Sequence, residues 1–150
     1  MSPIVCATRG GEASRRTQEH AIRLAKERGD ELIFLCVFDP SFAGPLSAAL
    51  AAAVADEQRW LGRALLGIAQ SRARGQKVEA QAEVRNGPVM ESIEEYLRQV
   101  QADTLVIGAS KEDTALAAFD LNEVERFAKK IQEDTGVEVV VVPPERGGEL

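Results

Sequence analysis

Few of the 150 residues in this chain are of a type and spacing that do covalent chemistry. His20 is the only histidine, Cys6 and Cys36 lie inside the apolar runs PIVCA and LIFLCV without Cys-x-x-Cys spacing, and no Gly-x-Ser-x-Gly turn occurs. A zinc site therefore lacks ligands, and a nucleophile lacks its base. The thiols read as packing groups; a redox pair between neighbouring strands is the alternative, with no cation nearby to activate it. What remains is anion chemistry in two turns. Arg9, Arg15 and Arg16 surround Gly10 and Gly11 after the first apolar run, and Gly108, Ser110 and Lys111 follow the fourth. Amides and cations at a strand-to-helix turn can hold phosphate. The competing reading is a solvated set of charges at a helix start, relieved by Glu12 and neighbouring carboxylates.

The elements that must position these turns are legible. Five apolar runs, Ile4 to Thr8, Glu31 to Phe38, Lys77 to Val84, Thr104 to Ala109 and Val137 to Val142, alternate with helical stretches. That order predicts β-α-β units and one parallel sheet covered on both faces. Four of the runs are nearly continuously apolar, as in strands buried on both sides, whereas KVEAQAEV alternates and belongs at an edge. The first helix carries Thr17, Ala21, Leu24, Ala25 and Arg28 on one stripe and stops at Gly29. In the second, Leu46, Leu50, Ala53, Val54, Glu57, Leu61, Ala64, Leu65 and Ile68 form the expected inner stripe. The third opens at Asn86-Gly87-Pro88, buries Val89, Ile93, Leu97 and Val100, and pairs Glu94 with Arg98. The fourth carries Leu121, Val124, Phe127, Ala128 and Ile131, capped by Asp120 or Asn122.

Composition sets the outer bounds. Apolar residues make up 45% and charged residues 28% of the chain, which reads as one globular domain over residues 1–150. A net charge of -6 argues against nucleic acid and anionic lipid as partners. No run is long enough to span a membrane and no signal-peptide pattern opens the chain, so the expected location is cytoplasmic. The terminal run Val137, Val139, Val140, Val141 and Val142 has one charge, Glu138, and ends at Pro143. As a strand beside the fourth it would present an open edge, so Val137, Val139, Val141 and Pro143 are candidates for a homodimer interface.

With IVCATRGGEAS, AIRLAKERGDELIFLCV, VRNGPVMESI, ADTLVIGAS and VEVVVVP in that order, the chain resembles the universal stress protein family over nearly its whole length. The resemblance implies a five-stranded parallel sheet sandwiched by four helices, a flavodoxin/Rossmann-like, adenine nucleotide alpha hydrolase-like architecture that dimerises through its last strand. It also implies a choice, because one group of members binds ATP and another does not. ATP binders carry Gly-x-x-Gly, nine residues, then Gly-Ser or Gly-Thr after strand four. Here Gly108 matches, but Lys111 holds the second glycine position and Leu121-Asn122 the final pair. Glu112, Asp113, Asp120, Glu123 and Glu125 surround Lys111 alone, which opposes a polyphosphate. Arg9 replaces the usual aspartate after strand one; RGGEAS is only loosely similar to the pyrophosphate loop of ATP-cleaving adenylating enzymes. A receiver-type phosphoacceptor fails on chemistry, since Arg9-Gly10-Gly11 and Arg85-Asn86 stand where carboxylates are required. The expectation is a dimeric regulatory or protein-interaction module in stress response without conventional ATP binding. The alternative is a sensor holding ATP or AMP, with Val37, Gly87, Gly108 and Ser110 around adenosine and Arg9, Gly10 and Lys111 near phosphate. A slow nucleotide-cleaving enzyme ranks third.

Overall fold

The computed structural model describes residues 2–8, 12–39, 48–108 and 121–143. In chain order the elements are β1 (Ile4–Ala7), α1 (Glu12–Arg28), β2 (Leu32–Phe38), α2 (Ala48–Gly75), β3 (Ala80–Asn86), α3 (Val89–Val100), β4 (Thr104–Gly108), α4 (Leu121–Thr135) and β5 (Glu138–Val142). The strands form one sheet ordered β3-β2-β1-β4-β5, with every pairing parallel. The architecture is the expected one, and the alternating strand β3 lies at an edge as its pattern required.

Strand pairing brings two distant segments onto β1. Ile4 faces Leu32 on one side and Thr104 on the other, and the register continues to Ala7 between Leu35 and Ile107. Such a strand has no wet face, so apolar side chains point both ways. One set, including Cys6, Phe34 and Val106, packs with Ala21, Ile22 and Ala25 of α1 and Leu66, Ala69 and Ala73 of α2. The other, including Val5, Leu35 and Leu105, packs with Ile93, Tyr96 and Leu97 of α3 and Val124, Phe127 and Ile131 of α4. Gly29, at φ 69°, ends α1 in the left-handed conformation its residue type favours. Arg98 Nη2 donates to Glu94 Oε1 at 3.0 Å, the pair expected from their spacing.

The second helix overturns its predicted stripe. Its buried residues are Gly62, Leu66, Ala69 and Ala73. Leu50, Leu61 and Ile68 are 51%, 47% and 53% exposed, Ala53, Glu57 and Ala64 are also exposed, and Val54 and Leu65 are half-buried; Leu46 lies outside the described residues. The reason is steric. A Cβ on Gly62 would stand 2.9 Å from the Phe38 ring and 3.0 Å from a Val84 methyl, so α2 comes closest to β2 and β3 at a glycine, with Leu66 as the one large side chain among its buried residues. A search for large apolar residues at helical spacing therefore selects the opposite flank.

Smaller departures have local causes. Strand β3 starts at Ala80, not Lys77, because the N–H groups of Gln76, Lys77 and Val78 close the end of α2 on the carbonyls of Ala73 and Arg74, with Lys77 at φ 63°. Pro88, not Asn86, is the N-cap of α3, and Val89 and Val100 are only half-buried there, while Tyr96 joins Ile93 and Leu97 in the core.

The placement of α2 has a direct thermodynamic test. Leu66→Ala removes a fully buried side chain and should cost about 3 kcal/mol in urea unfolding of dilute protein, whereas Leu61→Ala should stay within about 0.5 kcal/mol of the parent. The reverse ranking would turn the helix over.

Candidate functional site

The carboxyl ends of β1 to β4 carry the described part of the predicted site. Beyond Ala7, Thr8 donates its N–H to Leu35 O at 2.8 Å, carrying the backbone pairing one residue past β1. Its Oγ1 accepts from Gln18 Nε2 at 2.9 Å, and Gln18 Oε1 accepts from Arg72 Nη1 at 2.7 Å. Gln18 is 1% exposed, so an amide in the core has both ends satisfied by a hydroxyl from β1 and a guanidinium from α2. This chain of bonds ties α1 and α2 to the exit of the central strand. Sequence reasoning missed it, although Gln18 sits four residues before Ile22 and next to the Thr17 stripe.

Gly108 closes β4 beside this exit. A side chain there would collide with Thr17 Oγ1, with Thr17 Cβ 3.3 Å away. Thr17 is itself buried, and its carbonyl receives the Cys6 thiol at 4.0 Å. The absent side chain at Gly108 is thus explained by the approach of α1 to β4.

Across the sheet, Val37 is buried near the end of β2, opposite Arg85 in the register, with its side chain in the α3–α4 half of the core. Gly87 donates its N–H to Phe38 O at 2.9 Å, and at φ 148° it lets the chain turn from β3 into α3. Val37 and Gly87 are therefore brought together around Phe38, and Gly108 stands on the far side of β1. Arg9, Gly10, Ser110 and Lys111 lie outside the described residues.

Arg85 was not anticipated in this region. Its guanidinium carbon lies 5.1 Å from the Tyr96 ring centre, Nη2 donates to Gln99 Oε1 at 3.1 Å, and Nε stands 3.5 Å from Glu83 Oε1. Burial first, and the Glu83 charge second, raise the Tyr96 phenol above its usual pKa, so it stays protonated. His20 on α1 is pushed down by partial burial and by the Arg23 charge, which leaves it neutral at pH 7. No group of three or more His, Cys, Asp or Glu side chains able to hold a metal occurs among the described residues.

Cys6 and Cys36 are both buried thiols outside any disulfide. Cys6 pairs with Phe34, two residues before Cys36, which separates the two Cα atoms by about 8 Å, beyond disulfide reach. Burial raises the Cys6 thiol far above its usual pKa, which suppresses the reactive thiolate.

Of the residues proposed for self-association, Val137 precedes β5, is buried in the chain's own core, and donates its N–H to Thr135 Oγ1 at 3.1 Å. Val139 and Val141 are half-buried against the same core, and Pro143 is exposed. Glu138 donates its N–H to Asp103 O at 3.0 Å on the β4 side. By alternation the backbone of Val139 and Val141 points outward.

Comparison with known proteins follows the geometry. The universal stress protein family matches residues 1–143. Similar solved structures include a universal stress protein from Lactobacillus plantarum at TM-score 0.75 and 16% identity, covering 94% of this chain and 97% of that one. A universal stress protein in complex with cAMP has TM-score 0.68 and 20% identity, covering 94% of this chain and 96% of that one. One from Archaeoglobus fulgidus in complex with dAMP has TM-score 0.66 and 17% identity, covering 97% of this chain and 98% of that one. No curated protein matches the chain in sequence.

Two outcomes test this arrangement. Gly108→Ala should destabilise the protein by about 2 kcal/mol, and adding Thr17→Ala should recover part of that loss, giving a coupling well above 0.5 kcal/mol in a double-mutant cycle. Additive effects would mean that the two residues do not press on each other. For Cys6, a folded pKa above the unfolded value gives a contribution that is complete below the unfolded pKa and lost as pH rises beyond it. Urea stability should fall above pH about 8.5 by up to about 1.4 kcal/mol per pH unit, with a shallower slope in Cys6→Ala.

Proposed function

The chain belongs to the universal stress protein family, and from that premise we propose that it is a dimeric regulatory, partner-binding member in stress response that does not hold MgATP in the conventional way. The observation that carries this reading is Gly108. It is the one glycine of the phosphate motif that the sequence retains, and packing against Thr17 accounts for it without a phosphate. The other motif positions hold Lys111, Leu121 and Asn122, and α4 already begins at Leu121. Side chains at points of close backbone approach, with five carboxylates around one lysine, disfavour a triphosphate.

A second reading is supported by the nucleotides in the similar structures, cAMP and dAMP, each carrying a single phosphate. An adenosine monophosphate needs fewer anion contacts. The strand ends at Val37, Gly87 and Gly108 would flank its base and ribose, with Arg9 and Lys111 as the cations for its phosphate. Dimerisation is supported by β5, which pairs with β4 on one side and carries the outward backbone groups of Val139 and Val141 on the other.

Calorimetric titration separates these readings. MgATP should bind no tighter than about 100 µM, and a low-micromolar constant, about -8 kcal/mol, would overturn the proposal. Saturable heat with AMP but not MgATP would select the second reading. For the dimer, Val141→Pro removes an outward donor while sparing the bonds to β4, so sedimentation at micromolar concentration should show a dimeric parent and a monomeric variant. A monomeric parent, or a variant that stays dimeric, excludes the β5 interface.

A further inference from the structure

Of the large apolar side chains exposed among the described residues, four, Leu50, Trp60, Leu61 and Ile68, lie on α2, and only Met90 lies elsewhere, on α3. Trp60 is 71% exposed, and Leu61 and Ile68 are 47% and 53% exposed. Val54, Glu57, Leu61, Ala64 and Ile68 follow one another at intervals of three, four, three and four residues, the repeat of a seam between two helices. The face is separate from the one α2 buries, since Gly62, Leu66, Ala69 and Ala73 occupy the sheet side. From Ala48 to Leu61 no residue of α2 is buried at all. A groove of about 420 Å³ runs along this part of the helix, lined by Leu50, Val54, Gln58, Trp60 and Leu61.

We propose that this outward face of α2 is a homotypic docking surface, on which α2 of a second copy packs antiparallel about a two-fold axis passing near Trp60. Charge decides the occupant and its direction. Along the exposed stretch the acids, Asp56 and Glu57, precede the bases, Arg59 and Arg63. An antiparallel copy sets the acidic turn of each helix beside the basic turn of the other, twice by symmetry, whereas a parallel copy would set like against like. The helix dipoles also oppose favourably in that direction.

Among the described residues the apolar stripes of α1, α3 and α4 pack on the sheet, with Met90 the one large apolar side chain of these helices that is exposed. Gln58 adds a polar reason. Its Oε1 is buried without a hydrogen-bond partner in the single chain, and an axis near residues 58–60 brings a second Gln58 amide within reach when the side chain turns outward. From Val54 to Ile68 the seam is about 21 Å long and 10 Å wide. That is well below the roughly 800 Å² per partner of a standard interface, so the contact belongs to the weak, transient class.

Trp60 is the only tryptophan and reports on this face directly. Its emission should move to shorter wavelength as the protein is concentrated from about 1 µM to about 1 mM, with sedimentation showing a larger species over the same range. A dimer through β5 alone leaves Trp60 in water and produces no such shift. Leu61→Lys, at an exposed position, should keep the parent melting temperature and abolish the shift. Arg63→Glu and Glu57→Arg should each weaken self-association by about tenfold, and an equimolar mixture of the two should regain it. Emission that stays constant to about 1 mM, or that shifts equally in Leu61→Lys, overturns the proposal and gives the face to a different occupant.

Discussion

The fold hangs on β1, which hydrogen-bonds to β2 on one side and β4 on the other while its side chains leave toward both faces of the sheet. Ile4, Val5 and Cys6 have no accessible surface. A strand in that position satisfies its backbone only if two segments far away in the chain arrive parallel to it, and it stays dry only if helices cover both faces. Right-handed crossovers then settle the rest: α1 and α2 lie on one face as the chain moves outward through β2 to β3, and α3 and α4 lie on the other as it returns through β4 to β5. The strand order reverses between β1 and β4, and the carboxyl ends of those two strands frame the crevice where such sheets hold ligands.

The same arrangement explains why α1 is the most constrained helix. Near its start Thr17 fills the space that Gly108 leaves, and Gln18 joins Thr8 to Arg72. Near its end Arg28 Nη1 donates to buried Thr104 Oγ1 at 2.9 Å, and its Nη2 stands 3.6 Å from Glu138 Oε1. Between those polar anchors Ala21, Ile22 and Ala25 are buried in the core and Leu24 packs against its margin. A polar group at such a site is stabilising because its partner is already in place, and truncating either one leaves the other unsatisfied in the core.

The two edges of the sheet are managed differently. On the β3 edge, Gln70 Nε2 of α2 donates to Ala80 O at 2.9 Å, and Arg85 and Glu83 add charge along the strand. On the β5 edge the strand carries one charge, Glu138, already near Arg28. An edge strand with two charges and a side-chain bond to α2 at one end of the sheet, and a valine-rich strand with one charge at the other, make the two edges chemically distinct among the described residues.

Sequence alone determined the class of fold. Near-continuous apolar runs alternating with amphipathic stretches have few other solutions, and the alternation in KVEAQAEV placed β3 at an edge, because periodicity reports how many faces of an element are dry. It also determined the departures from the phosphate motif at Lys111, Leu121 and Asn122. Only the tertiary structure decided which flank of α2 is buried, since the close approach to Phe38 and Val84 demanded a glycine at position 62, a residue type that carries no core signal in the sequence. It decided too that Gln18 belongs to the core and that Gly108 answers to Thr17, because both facts depend on partners brought together by folding. Residue type and period describe a surface; what presses against that surface is a property of the assembled chain.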